Sequence, residues 1–303
     1  MNIREEYKKS LKMLEVEELL DLILYRPLAL VFVRLVYRTP ITPNQVTFMS
    51  FLAGLASAYS FAQGTIAGMA WGGIWYAVAN TLDCSDGQLA RLQGSGTPLG
   101  RLVDGVVDWA ISVAIFTGLG IGLQRATGEA SVWWIVSAGG ITSALHAFFF
   151  DLYQQQFIAA VRGQKNFVDR ELERIRTERA SLNGERTTPL RRMFLSIYIK
   201  YLEAQIRSRA PETAQHYPPD LYRSMNRNVM RFWTVLGPTT NRSLLVIAGL
   251  LNSTVAVFFW PVVTVGNVLL LIALFWQRRI LHHLDEVVRL HQSSQQSAIP
   301  VSS

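Results

Sequence analysis

The sequence predicts an all-α membrane protein: six transmembrane helices, an N-terminal cytoplasmic amphipathic helix pair, and a helical cytoplasmic insertion between helices four and five. Three observations carry that expectation. Half of the 303 residues are hydrophobic, several uncharged windows approach membrane-spanning length, and the Lys and Arg residues gather on alternate connections. The single cysteine, Cys84, excludes an intrachain disulfide framework and reads as a small filler rather than a thiolate ligand, because hard cations prefer oxygen.

The start, M-N-I-R-E-E-Y-K-K, leads into a mixed-charge helical pattern, so no cleavable signal peptide is expected. Residues 1–40 form the first segment. From Glu15 to Arg38 apolar residues recur at helical spacing, with a break expected at Pro27. This reads as a helix pair lying on the membrane surface, with Arg26, Arg34 and Arg38 near lipid phosphates. A seventh span is the alternative, and it would place Arg34 mid-membrane. The stretch Thr39 to Asn44, T-P-I-T-P-N, predicts a turn followed by a helix start.

Residues 41–160 hold the first four spans, with uncharged cores at Gln45–Gln63, Thr65–Leu82, Trp109–Gln124 and Ser131–Phe150. Residues 161–228 are polar and basic, with helical patterns such as F-V-D-R-E-L-E-R-I-R, and are too long for a simple connection. They read either as a solvated helical excursion or as a cap that shapes a substrate site or an oligomer contact. Residues 229–280 supply spans five and six, from the apolar run Ser243–Gln277 with a turn near Asn252, Ser253 and Thr254. Residues 281–303 end in S-S-Q-Q-S, a disordered composition.

Of the 29 Lys and Arg residues, only Arg125 falls in a loop on the far side of this topology. Both termini are therefore expected to be cytoplasmic, in a multi-pass protein of the cell (inner) membrane. The net charge of +7 is mostly this bias, so it gives no support to a nucleic-acid partner.

Four aspartates stand where the second and third spans meet, in D-C-S-D-G-Q-L-A-R and G-R-L-V-D-G-V-V-D. A carboxylate within a span costs about 2.5 to 3.5 kcal/mol on insertion scales, so four of them require a compensating partner. Asp83 and Asp86 share one helix face, as do Asp104 and Asp108. Two facing helices would bring all four together as a two-metal site. Gly87 and Gly100 remove bulk beside them and let helices or a ligand approach. Oxygen-rich sites of this kind hold Mg²⁺, Mn²⁺ or Ca²⁺ together with a phosphate, and Arg91 is placed to reach the same anion. A cation transporter or channel that uses the aspartates as an ion path is the alternative. It predicts polar residues continuing across the membrane, and the neighbouring runs offer few.

The eight fixed positions of D-x2-D-G-x2-A-R-x8-G-x3-D-x3-D are filled by Asp83, Asp86, Gly87, Ala90, Arg91, Gly100, Asp104 and Asp108. This resembles the signature of the CDP-alcohol phosphotransferase (CDP-alcohol phosphatidyltransferase) family. The resemblance extends to the six-helix layout, the amphipathic start and a P-N-x-x-T element at Pro43, Asn44 and Thr47, but not to residues 161–228. It implies two divalent cations, Mg or Mn, held by Asp83, Asp86, Asp104 and Asp108, with Asp108 also the general base. It implies that Gly87 and Arg91 hold the CDP moiety, that Asn44 and Thr47 line the nucleotide pocket, that Thr97 touches the pyrophosphate, and that the protein is a homodimer.

The activity so implied is transfer of a substituted phosphate from a CDP-linked donor to an acceptor hydroxyl with release of CMP, in phospholipid or related phosphodiester biosynthesis. At least one substrate would be a lipid. The donor is either CDP-diacylglycerol, favoured by the six-helix length and by T-P-I-T-P-N-Q-V-T, or a soluble CDP-alcohol. Two further polar residues interrupt apolar runs. Arg242 reads either as an anion anchor for a substrate phosphate or as a side chain snorkelling to the interface. His146, expected about one turn before the cytoplasmic end of the fourth span, reads either as a packed, hydrogen-bonded core residue or as an acceptor contact.

Overall fold

Residues 7, 11, 13–95, 98–163, 167–181, 189–208 and 217–297 are described by the computed structural model, and they contain no strand. Ten α-helices follow one another along them: α1 (Arg26–Val36), α2 (Pro43–Ala62), α3 (Ile66–Gln93), α4 (Pro98–Thr127), α5 (Val132–Val161), α6 (Phe167–Ser181), α7 (Pro189–Arg207), α8 (Pro219–Trp233), α9 (Pro238–Leu250) and α10 (Asn267–Ser297). Asp104–Thr127, Val132–Val161 and Val255–Leu290 are long and apolar enough to cross a membrane by length and composition. The chain divides into two compact units, one of residues 1–147 and 234–271, the other of residues 148–233 and 272–303.

The first unit contains the motif helices. The expected start after T-P-I-T-P-N is a capping box: the Gln45 N–H donates to the Thr42 hydroxyl at 3.4 Å, and the Thr42 N–H donates to the Gln45 side chain at 2.9 Å. Pro43 opens the helix where no N–H is needed. Helix α3 is capped by Thr65, whose hydroxyl accepts from the Gly68 N–H at 3.0 Å, and ends at Gly94 in the left-handed region at φ 63°. Helices α2, α3 and α4 pack through small residues. The Ser50 and Ser57 hydroxyls donate to the carbonyls of Ala79 and Gly72 at 2.9 and 2.8 Å, and a Cβ added at Gly122 would collide with the Phe61 carbonyl. Phe61, Ile115, Leu119, Phe258 and Phe259 fill the centre.

Two expectations need correction here, on Pro27 and on the C-terminal tail. The N-terminal segment is not broken at Pro27: a π turn, Asp21–Tyr25, leads directly into α1 with Pro27 in its first turn. Ring closure at Pro27 removes an N–H, and the first turn of a helix requires none from it. Helix α9 begins at Pro238, ahead of the apolar run that starts at Ser243, and so takes Arg242 one turn inside it. The expected turn follows, with Asn252 at φ 49°. Helix α10 continues to Ser297, so most of the segment expected to be a disordered tail is helical; Leu281 and Leu284, three apart, are buried along it. Residues 298–303 lie outside the described residues.

The second unit is built on the helices anticipated in the basic region. Asp151 accepts from the Gln205 amide at 2.6 Å and from the Tyr201 hydroxyl at 3.1 Å. Trp233 donates to Gln277 at 3.1 Å, and Gln277 donates to Asn226 at 2.8 Å, around a core that includes Phe157, Tyr222 and Leu202.

Candidate metal centre

The last three turns of α3 carry Asp83, Asp86 and Arg91, and the first half of α4 carries Asp104 and Asp108. One carboxylate oxygen from each of Asp83, Asp86 and Asp104 lies within 4.8 Å of the others. Thr47, one turn into α2, donates its hydroxyl to Asp86 Oδ2 at 2.5 Å and so fixes that carboxylate's rotation. Asp86 is buried; Asp83 and Asp104 are half-buried. Three hard anionic oxygens at this separation fit Mg²⁺, Mn²⁺ or Ca²⁺ and fit soft metals poorly.

Asp108 is not part of this triad. Arg242 of α9 reaches across with Nη1 3.0 Å from Asp83 Oδ2 and Nη2 2.9 Å from Asp108 Oδ1, the arginine side chain being 14% exposed. Nη1 also donates to Asn80 Oδ1 at 3.1 Å. The fork of the guanidinium thus joins the two motif helices, through Asn80 and Asp83 of α3 and Asp108 of α4. With one guanidinium among four carboxylates, the cluster stays strongly negative and calls for further cations.

Of the other residues expected at the site, Thr47 is brought to it and Arg242 faces it rather than the interface. Asn44 is exposed at the first turn of α2. A Cβ at Gly87 would meet the Arg91 guanidinium at 3.3 Å, so the glycine leaves room for Arg91 to lie along its own helix. Thr97 lies outside the described residues, as do the surroundings of Gly100. His146 is not near a helix end, since α5 runs on to Val161; it is buried against Gly266, whose added Cβ would stand 2.5 Å from its Cε1. The helix outlasts the uncharged run because its later turns bury Leu152, Phe157 and Ala160, apolar residues at helical spacing.

Asn80 was not singled out by the sequence reading. It is 1% exposed and sits one turn before Asp83, and its signal was an amide inside an otherwise uncharged apolar run. Glu18 and Tyr25, both buried and both hydrogen-bonded to α9, were also missed, because charge on an amphipathic segment reads as its solvated face.

Comparison with known proteins agrees with this geometry. Residues 40–170 match the sequence model of the CDP-alcohol phosphatidyltransferase family. The chain is 35% identical over 97 residues to the bifunctional IPC transferase and DIPP synthase of Thermococcus kodakarensis, covering 32% of this chain and 21% of that protein. It is 29% identical over 128 residues to a phosphatidylinositol phosphate synthase of Mycobacteroides abscessus, covering 42% and 51%. It is 35% identical over 82 residues to the archaetidylinositol phosphate synthase of Pyrococcus horikoshii, covering 27% and 42%. The chain spans about half the length of these relatives or less. All four aspartates, Thr47 and Asn80 fall inside the stretch that matches the CDP-alcohol phosphatidyltransferase model, in a chain whose apolar helices mark it as an integral membrane protein.

Proposed function

We propose that the protein is a metal-dependent transferase that moves a substituted phosphate from a CDP-linked donor to the hydroxyl of an acceptor, releasing CMP. The observation that carries the reading is the convergence of Asp83, Asp86 and Asp104 within 4.8 Å, with Arg242 binding the two aspartates at its edge. The Arg242 guanidinium across Asp83 and Asp108 also stands against an ion path through these carboxylates.

Asp83, Asp86 and Asp104 would hold one divalent cation, and Asp108 would help to hold a second once Arg242 is drawn away. Cations bound there would neutralise charge on the pyrophosphate. Asp108 takes the proton of the acceptor hydroxyl; the freed oxygen bonds to the β-phosphorus as the bond to CMP breaks. Asp108 must release Arg242 to do so. An anionic group on the acceptor offers the guanidinium another bidentate partner, so acceptor binding would draw Arg242 away and free the base.

All three relatives described above bear the names of transferases or synthases, and two are named for phosphatidylinositol phosphate and archaetidylinositol phosphate. We therefore favour CDP-diacylglycerol as donor and a phosphorylated polyol such as inositol phosphate as acceptor. Arg91 and Gly87 would hold the CDP moiety, with Asn44 and Thr97 beside it. A cytoplasmic site, cytoplasmic termini and a homodimer complete the reading. The test is CMP release by purified protein with Mn²⁺ or Mg²⁺, across CDP-diacylglycerol and CDP-alcohol donors and phosphorylated and plain polyols. CMP produced from CDP-diacylglycerol only with a phosphorylated acceptor supports it; no CMP from any pair counts against it.

A further inference from the structure

Helix α9 lacks a cap of its own. Its N-cap residue is Gly237, extended at φ −66° and ψ 159°, with no side chain to receive the first free N–H groups. Those groups are served from 221 residues away in sequence. The Glu18 carboxylate accepts from the Thr239 N–H at 3.1 Å, from the Thr240 N–H at 2.7 Å and from the Thr240 hydroxyl at 2.9 Å. Glu18 is 3% exposed, and a Cβ at Gly237 would collide with its carboxyl group. The glycine is therefore required by the approach of Glu18.

The same N-terminal segment touches α9 and α3 at further points. The Tyr25 and Ser243 hydroxyls are hydrogen-bonded at 3.1 Å, one residue beyond Arg242. The Cys84 thiol, one residue beyond Asp83, donates to Asp21 at 3.6 Å, and the Gln88 amide donates to the Arg26 carbonyl at 3.1 Å. Arg26 is itself held by Glu17 at 2.6 Å, with both side chains buried. Glu18, Asp21 and Tyr25 are spaced by three and four residues and form one inner stripe. Leu19, Ile23, Leu28, Val31 and Leu35 form an exposed apolar stripe on the other side.

We infer that Glu18 is a positioning residue: from the N-terminal segment it caps α9 and thereby holds Arg242 on Asp83 and Asp108. Arg242 lies two residues past the capped threonines, within the first turn and a half of the helix, where loss of a cap is felt most. The segment that carries the apolar stripe thus sets the geometry of the guanidinium at the metal centre. The inference rests on the metal-dependent reading only through one of its two readouts.

The experiment is a double-mutant cycle on the full chain in nanodiscs with Glu18→Ala, Arg242→Gln and the pair. Apparent Tm is read in EDTA, and Mn²⁺ half-saturation is read by electron paramagnetic resonance without substrate. Arg242 competes with cations for Asp83 and Asp108, so Arg242→Gln is expected to tighten Mn²⁺ binding roughly fivefold, and Glu18→Ala to reproduce most of that gain. The pair should gain no more than Arg242→Gln alone, and the Tm losses should be less than additive. Glu18→Ala with Gly237→Asp restores a cap within α9 in the space vacated, accepting from the same two N–H groups, and should return Mn²⁺ binding to the wild-type value. Should Glu18→Ala not fold, Glu18→Gln, which keeps one acceptor, takes its place in the cycle. Unchanged Mn²⁺ affinity in the Glu18 variant, or additive Tm losses, would overturn the inference. A wild-type protein that binds no Mn²⁺ sinks the metal reading instead, and the cycle in EDTA then decides the role of Glu18.

Discussion

At Arg242 a planar guanidinium meets Asp83 at 3.0 Å and Asp108 at 2.9 Å, and both contacts use the fixed geometry of its fork. A lysine keeps the charge but presents one donor centre, so Arg242→Lys should raise KM for an anionic acceptor by roughly tenfold or more while donor KM changes little. Steady-state CMP release with each substrate varied in turn checks this; equal changes in both KM values would remove the acceptor role. Asp108→Asn leaves the shape of the site and removes the proton acceptor we propose. Turnover should fall by roughly a thousandfold or more, with CDP binding retained in equilibrium dialysis. Substantial residual CMP release would take the base role from Asp108. Thr47→Val removes the hydroxyl that fixes Asp86 and should weaken Mn²⁺ binding several-fold without loss of fold, as read by Mn²⁺ titration.

Elements in the first unit approach one another where side chains are absent. Gly118 and Gly122 on α4 face the Ala58 and Phe61 carbonyls of α2 so closely that any Cβ would collide with backbone. Gly122→Val should therefore lower stability by about 1–3 kcal/mol through forced separation of α2 and α4, seen as a lower Tm in detergent. The N-terminal segment behaves differently, because what it packs is ionisable. Burial, aided by the neighbouring charge of Asp21, pushes the Glu18 carboxyl up to about 7, against the opposing hydrogen bonds from Thr239 and Thr240. A raised carboxyl stabilises the fold most fully at or below about pH 4.5, its ordinary value, and that contribution is lost as pH rises through about 7. Across this window Glu18 should cost roughly 1.4 kcal/mol per pH unit. Wild-type Tm should fall with rising pH over the window more steeply than that of Glu18→Gln, which has nothing to titrate; parallel profiles would show that Glu18 does not carry the dependence.

For the whole molecule, we propose from the distribution of Lys and Arg that the aspartate cluster and both termini share one face of the membrane, with Arg125 opposite. In a Cys84→Ser background, single cysteines near residues 40 and 280 should react from the cytoplasmic side and one at Arg125 from the other. Labelling of all three from one side would refute the topology. The hydropathy of the spans was legible because it is a sum over about twenty residues, and the motif was legible because its spacing follows the helical repeat. The continuous helix through Pro27 and the helical end of α10 were not. Both depend on tertiary contacts, of Tyr25 with Ser243 and of Leu281 and Leu284 with the core, which override a local breaker or a polar composition.

By itself the sequence determined that the chain enters a membrane and that two helices present paired aspartates, the grounds on which we propose hard cations and a phosphate there. These follow from local periodicity and from the energetic penalty of bare carboxylates in apolar surroundings. Tertiary structure decided which oxygens meet. Only folding shows that Asp83, Asp86 and Asp104 converge while Asp108 turns to Arg242, that Asn80 joins them, and that Glu18 supplies the cap Gly237 lacks. Such pairings join residues up to 222 positions apart, and no local pattern encodes them.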